Sequence, residues 1–70
     1  MSILHKIVAD NIAEKRKEIG LSQEQLSLNS GLNKAYVGHI ERLYKKPSLE
    51  TLEKISKALN IKLIDLLGDC

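Results

Sequence analysis

The sequence predicts an all-α fold, a compact five-helix bundle, and three observations support this. Apolar residues recur at helical spacing in five separate segments of the 70-residue chain. With one Pro and four Gly, the chain has too few turn-forming residues for an all-β fold. The only aromatic residues are Tyr36 and Tyr44, so the core has to be built from aliphatic side chains, which suits short helices. A chain of this length buries only about 60% of its unfolded surface, and we therefore expect residues 1–70 to form a single domain.

The first two predicted helices are bounded by clear start and stop signals. An apolar stripe predicts the first helix over about 4–19, and it consists of Leu4, Val8, Ile12 and Ile19. Gly20 supplies the left-handed residue that ends this helix. Ser22 and Gln25 have the spacing of a capping box, which predicts a short second helix over about 23–29.

The turn after the second helix predicts a helix-turn-helix. Gly31 permits a sharp turn with positive φ, and Asn33 is a suitable N-cap for a third helix over about 34–43. Four residues would fasten the two helices together: Leu26, Ser27, Val37 and Ile40. The outer face of the third helix then carries polar, small and basic residues. A helix about 10–12 Å wide fits the major groove of B-DNA. The alternative is an ordinary αα-hairpin in a small bundle.

Two further helices complete the predicted bundle. Ser48 caps a helix over about 49–59, and Asn60 closes it. Its apolar face consists of Leu49, Leu52, Ile55 and Leu59. A short last helix over about 62–67 follows.

The composition argues against several classes of protein. Cys70 is the single cysteine, which excludes an internal disulfide framework and favours a reduced, cytoplasmic protein. No apolar run approaches the roughly 20 residues that a membrane-spanning helix needs. His5 and His39 have no Cys or carboxylate partners at metal-ligand spacing. Since no catalytic triad order, paired-carboxylate pocket or Gly-rich phosphate loop is present, we expect no enzyme activity, no cofactor, no metal and no membrane partner.

The excess positive charge is concentrated in one segment. Residues 33–46 carry four Lys or Arg and one Glu, for a net charge of +3, whereas residues 1–32 are neutral and residues 47–70 carry −1. This distribution is compatible with a solvated basic face or with contact to a polyanion such as nucleic acid.

Several short motifs together resemble the Cro/CI-type (XRE-like) helix-turn-helix family. They are Gly20-Leu21-Ser22-Gln23-Glu24-Gln25-Leu26, Ser30-Gly31-Leu32, Tyr36-Val37, Ile40-Glu41-Arg42 and Pro47-Ser48-Leu49-Glu50-Thr51-Leu52. The match covers roughly residues 8–67, and the segment 31–42 is most similar to the controller proteins of restriction–modification systems. The resemblance implies a lambda-repressor-like DNA-binding domain, sequence-specific binding of double-stranded operator DNA, a homodimer and no enzyme activity.

The resemblance also implies roles for individual residues. The predicted contacts to base edges are Asn33, Lys34, Ala35, Gly38 and His39; the predicted contacts to phosphates are Gln23, Tyr36, Arg42, Lys45 and Lys46. Lys34 is suited to guanine and Ala35 to a thymine methyl group. Arg16 and Glu41 fall where several members hold a structural ion pair between the first and third helices.

Three positions qualify these assignments. The family commonly has Gly near Leu43, so this residue is a departure that could reshape the end of the third helix. Many members have Ala where Ser27 lies, and we expect little change from this. Gly38 either allows close approach to DNA or marks a position where a larger residue was never needed.

The last helix is richer in apolar residues than a small core requires. A self-complementary patch for a two-fold dimer would use the surplus, with Leu63, Ile64 and Leu66 as the candidates, and simple edge packing is the alternative. A dimer predicts an inverted-repeat operator with half-sites about 10 bp apart. The surplus also supports a competing function, a protein-interaction module such as an antitoxin-type partner-binding protein on the same scaffold.

Overall fold

A computed structural model describes residues 3–68 of the chain. Its helices are α1 (Ile3–Glu18), α2 (Gln23–Asn29), α3 (Tyr36–Glu41), α4 (Leu49–Ala58) and α5 (Leu63–Leu67). The described residues contain no strand, which confirms the all-α, five-helix prediction. Within the same range, no helix is long and apolar enough to cross a membrane.

The helices begin and end largely where local chemistry predicted. The Ser22 hydroxyl accepts from the Gln25 N–H at 3.0 Å, and the Gln25 side chain accepts from the Ser22 N–H at 2.8 Å, which completes the capping box. After α1, Gly20 has φ +77°, and the Leu21 N–H donates back to the Arg16 carbonyl at 3.1 Å. A left-handed residue after a helix turns the chain so that the next N–H can donate to a carbonyl of the last turn. This satisfies a carbonyl that would otherwise have no hydrogen-bond donor.

Leu43 occupies the corresponding left-handed position after α3. Its φ is +64°, and the Tyr44 N–H donates to the His39 carbonyl at 2.8 Å. The departure from the family's Gly therefore leaves the left-handed stop in place. A side chain with a Cβ pays about 1 kcal/mol for this conformation.

The third helix is shorter than the predicted 34–43, and Asn33 is not its N-cap. The Asn33 side chain accepts from the Ala35 N–H at 3.0 Å, and the Asn33 carbonyl accepts from the Tyr36 N–H at 2.9 Å. These bonds make a separate turn, so α3 begins at Tyr36. An Asn side chain that bonds two residues ahead competes with the helix for backbone donors.

One aliphatic core lies between the helices, as the composition requires. Its buried residues are Val8, Ala9, Ile12, Leu26, Val37, Ile40, Leu52, Ile55, Leu59 and Leu66. Leu4, Ile19 and Leu49 belong to the predicted apolar faces, but they lie outside the core because each of them is at least half exposed. All three lie at or just beyond a helix end.

Helix α5 uses its apolar residues mostly within the bundle. Leu66 is fully buried, and its carbonyl accepts from the Asn11 Nδ2 at 3.0 Å. Leu66 was predicted to contact a second subunit, and this has to be corrected because its side chain fills the core. Leu63 is partly buried against the same core, whereas Ile64 is 65% exposed. Of the three dimer candidates, Ile64 alone is mostly exposed to solvent.

Candidate nucleic-acid interface

A buried serine hydroxyl joins the two helices of the helix-turn-helix. The Ser27 Oγ donates to the Gln23 carbonyl at 2.9 Å and accepts from the Val37 N–H at 2.9 Å. The Val37 N–H lies in the first turn of α3, where the helix itself offers no acceptor. Ser27 therefore does more than fit a narrow space, because it fixes the start of α3 to the middle of α2.

An ion pair fastens the other end of α3 to α1. Arg16 Nε lies 2.8 Å from Glu41 Oε2, and Arg16 Nη2 donates to Glu41 Oε1 at 3.1 Å. The Arg16 and Glu41 side chains are only 11% and 10% exposed. Arg16 Nη1 also donates to the Leu21 carbonyl at 2.9 Å. Two parallel hydrogen bonds give such a pair a defined geometry, so the orientation of α3 is fixed at both ends.

Gln23 joins this network from the first residue of α2. Its Nε2 donates to Glu41 Oε1 at 2.9 Å. The Gln23 side chain also lies over the buried Gly38: a Cβ added at Gly38 would come 2.9 Å from Gln23 Oε1 and 3.3 Å from Arg42 Nη2. The missing side chain of Gly38 thus leaves room for two of the predicted phosphate contacts, a use that neither interpretation of Gly38 anticipated.

The outer surface of α3 and its flanking segments carries most of the other predicted contacts. Asn33, Lys34, Arg42, Lys45 and Lys46 are exposed, and Ala35, Tyr36 and His39 are partly buried. The structure brings one pair of them together and places a third beside a tyrosine that was not among the predicted contacts. Lys45 Nζ lies 4.7 Å from the centre of the Tyr36 ring, and the His39 ring lies 6.3 Å from the ring of Tyr44.

Tyr44 is the residue at this surface that the sequence interpretation missed. It is 75% exposed, and the Arg42 guanidinium lies 5.6 Å from the centre of its ring. A signal was available, because Tyr44 is one of two aromatic residues in the chain and lies within the basic segment 33–46. The segment after α3 therefore combines aromatic and cationic side chains rather than cations alone.

Comparisons with known proteins agree with this geometry. The model of a family described as helix-turn-helix, HTH_3, matches residues 12–66. Control protein C.SmaI of Serratia marcescens is 41% identical over 64 residues, which make up 91% of this chain and 76% of that protein. Both ends of the helix-turn-helix lie inside these matched regions.

Two solved structures are similar over most of the chain. The restriction-modification controller protein C.AhdI from Aeromonas hydrophila has a TM-score of 0.84 at 37% identity, with 89% of this chain and 94% of that chain covered. The hypothetical transcription factor NHTF from Neisseria has a TM-score of 0.90 at 34% identity, with coverages of 93% and 75%. The chain therefore belongs to the HTH_3 helix-turn-helix family of DNA-binding transcriptional regulators, which confirms its resemblance to Cro/CI-type (XRE-like) proteins.

Proposed function

We propose that the chain regulates transcription by placing α3 in the major groove of a specific double-stranded DNA site. The observation that carries the proposal is the double anchoring of α3. Ser27 holds its first turn and the Arg16–Glu41 pair holds its last, while polar and basic side chains remain on its outer side. Sequence recognition requires such a rigidly held helix, because side chains have to meet base edges in one register.

The contacts divide into those that read bases and those that grip phosphates. Lys34 donates to guanine O6 and N7, and Ala35 contacts a thymine methyl group. Asn33, His39 and the close approach at Gly38 complete the base-reading set. The phosphate-binding set consists of Gln23, Tyr36, Arg42, Lys45 and Lys46. The net charge of +3 over residues 33–46 supports this division, since phosphate contacts come mainly from cations.

The protein acts as a homodimer on an inverted repeat, with half-sites about 10 bp apart. One module of this size contacts few bases, and linking two modules multiplies affinity without new contacts. The exposed Ile64 on α5 supplies an apolar contact for the dimer, with the partly buried Leu63 beside it. The function needs no catalysis, cofactor or metal, and we place it in the cytoplasm.

The test begins with selection of bound duplexes from a random pool and compares two variants on selected and random DNA. Lys34→Ala should cost about 1–3 kcal/mol at the selected site and relax specificity at one base pair. Lys46→Ala should weaken binding to all sequences alike and reduce the salt slope by about one.

Two outcomes would contradict the proposal. Equal losses for both variants on selected and random DNA would show that Lys34 does not read a base. A chain that fails to shift random duplex even at low salt would not be a DNA-binding protein, since non-specific binding is electrostatic and strongest there. That result would favour the partner-binding module instead.

A further inference from the structure

Each tyrosine of the chain holds a cation of the basic segment. The protein has two Tyr, no Phe and no Trp. Lys45 Nζ lies 4.7 Å from the centre of the Tyr36 ring, and Arg42 Cζ lies 5.6 Å from the centre of the Tyr44 ring. Both distances are within the roughly 6 Å over which a ring attracts a cation. Both tyrosine rings are therefore paired with a residue of the proposed phosphate-binding set.

The backbone fixes the position from which Tyr44 does this. The Tyr44 N–H donates to the His39 carbonyl at 2.8 Å, and the Lys45 N–H points to the same carbonyl at 3.3 Å. Leu43 takes the left-handed conformation that allows both bonds. The main chain at Tyr44 is thus tied to the last turn of α3, although the side chain is 75% exposed.

Exposure of the ring shows that Tyr44 does not serve the core. Its ring packs beside His39 at 6.3 Å, and the Arg42 guanidinium lies on the same ring. A free Arg side chain samples many rotamers and loses this freedom when it binds a phosphate. A ring that already holds the guanidinium reduces that loss.

We propose that Tyr44 is a positioning residue for DNA binding, whose ring holds the Arg42 guanidinium at the end of α3 before DNA arrives. Tyr36 does the same for Lys45. The inference rests on the proposed function, because it needs DNA as the polyanion that Arg42 meets. The proposal adds Tyr44 to the DNA interface, and it is the ring of Tyr44, not its hydroxyl, that positions Arg42.

The first experiment examines the free protein by NMR. Ring currents should shift the Arg42 side-chain protons upfield in the wild type and in Tyr44→Phe, and the shift should be lost in Tyr44→Leu. Identical Arg42 shifts in all three proteins would overturn the proposal. This measurement does not depend on DNA binding, so it remains readable if the proposed function is wrong.

The second experiment measures affinity for random duplex and for a selected site. Tyr44→Leu should weaken binding to both by roughly two- to fivefold, the range expected for an exposed cation–π contact. Tyr44→Phe should bind within twofold of the wild type. In an Arg42→Gln background, Tyr44→Leu should have no further effect, because the cation it holds is gone.

The outcomes distinguish a failure of the proposed function from a failure of the positioning role of Tyr44. A wild-type chain that binds no DNA refutes the proposed function. A wild-type chain that binds DNA while Tyr44→Leu binds equally well refutes the positioning role alone. The positioning role is also refuted if Tyr44→Phe weakens binding as much as Tyr44→Leu, because the effect would then belong to the hydroxyl. It is refuted as well if Tyr44→Leu weakens binding equally in the wild-type and Arg42→Gln backgrounds. Thermal unfolding of each variant by circular dichroism checks that the fold is intact.

Discussion

Helices α3 and α5 are both short and both pack on the same core, but they are attached in different ways. Helix α5 is held mainly by burial of Leu66 and by partly buried leucines, with one side-chain hydrogen bond from Asn11. Helix α3 is held by buried apolar residues and also by directional bonds at both ends, through Ser27 and through Glu41. Burial keeps a helix on the core, whereas directional bonds also fix its rotation. The helix that we propose to present one face to DNA has the second kind of attachment.

Removal of the buried carboxylate should have the largest effect. Glu41→Ala leaves the Arg16 charge buried without its partner, and we expect the free energy of unfolding to fall by about 3–5 kcal/mol. Urea unfolding followed by circular dichroism measures this. The matched control is Lys6→Ala, which breaks the exposed pair with Asp10 and should cost less than about 1 kcal/mol. Similar losses in the two variants would contradict a special role for the buried pair.

The attachment of α5 should depend on volume rather than on direction. Leu66→Ala removes a fully buried side chain and should lower the free energy of unfolding by about 2–5 kcal/mol. Leu66→Met conserves volume and should cost less than about 1.5 kcal/mol. Urea unfolding followed by circular dichroism measures the free energy of unfolding of both variants. A Met variant as unstable as the Ala variant would show that α5 also needs a specific geometry.

The hydroxyl between α2 and α3 should have an intermediate effect. Ser27→Ala leaves the Val37 N–H buried without an acceptor, and we expect a loss of about 1–3 kcal/mol. Ser56 is the matched control, because it is also buried but bonds only to the Glu53 carbonyl of its own helix. Ser56→Ala should therefore be nearly neutral. Equal stability of both variants would mean that the Val37 N–H finds another partner.

The exposed side of α5 should matter least for folding. Ile64→Lys alters a side chain that is mostly in solvent, so the free energy of unfolding of the monomer should change by no more than about 0.5 kcal/mol. Sedimentation equilibrium should show weaker self-association if Ile64 lies in the proposed dimer contact. Leu28→Lys changes another exposed apolar residue, on α2, and should leave association unchanged. A dimer that survives Ile64→Lys would place the contact elsewhere.

Local signals predicted the helix boundaries well except at α3, because capping and stop residues act within a few positions of the chain. Ser22, Gly20 and Asn60 illustrate this, since each end is decided by bonds to neighbouring residues. Leu4 and Leu49 show the limit. Helical periodicity identifies one side of a helix, but it does not reveal how far the neighbouring helices extend along it, and both residues lie at a helix end.

Two features of the candidate site escaped prediction because they depend on distances between helices. The sequence indicates only that Ser27 is small, because its bond to Val37 depends on how α2 and α3 approach each other. The sequence likewise does not reveal that Gly38 makes room for the Gln23 side chain, because these residues lie on different helices. The roles assigned to DNA-contacting residues from the family resemblance stay predictions, and the variants described above test them.

Because α3 is short, its structure depends on the stability of the whole bundle, and this affects the abundance of the protein in a cell. An isolated stretch of six residues, such as Tyr36–Glu41, does not form a stable helix in water. Helix nucleation is unfavourable, and so short a stretch forms too few hydrogen bonds to offset its free-energy cost. The proposed DNA-reading face therefore exists only while the entire bundle is intact. Proteases digest unfolded chains, so a modest loss of stability would lower the amount of the protein and, with it, the occupancy of the proposed DNA site.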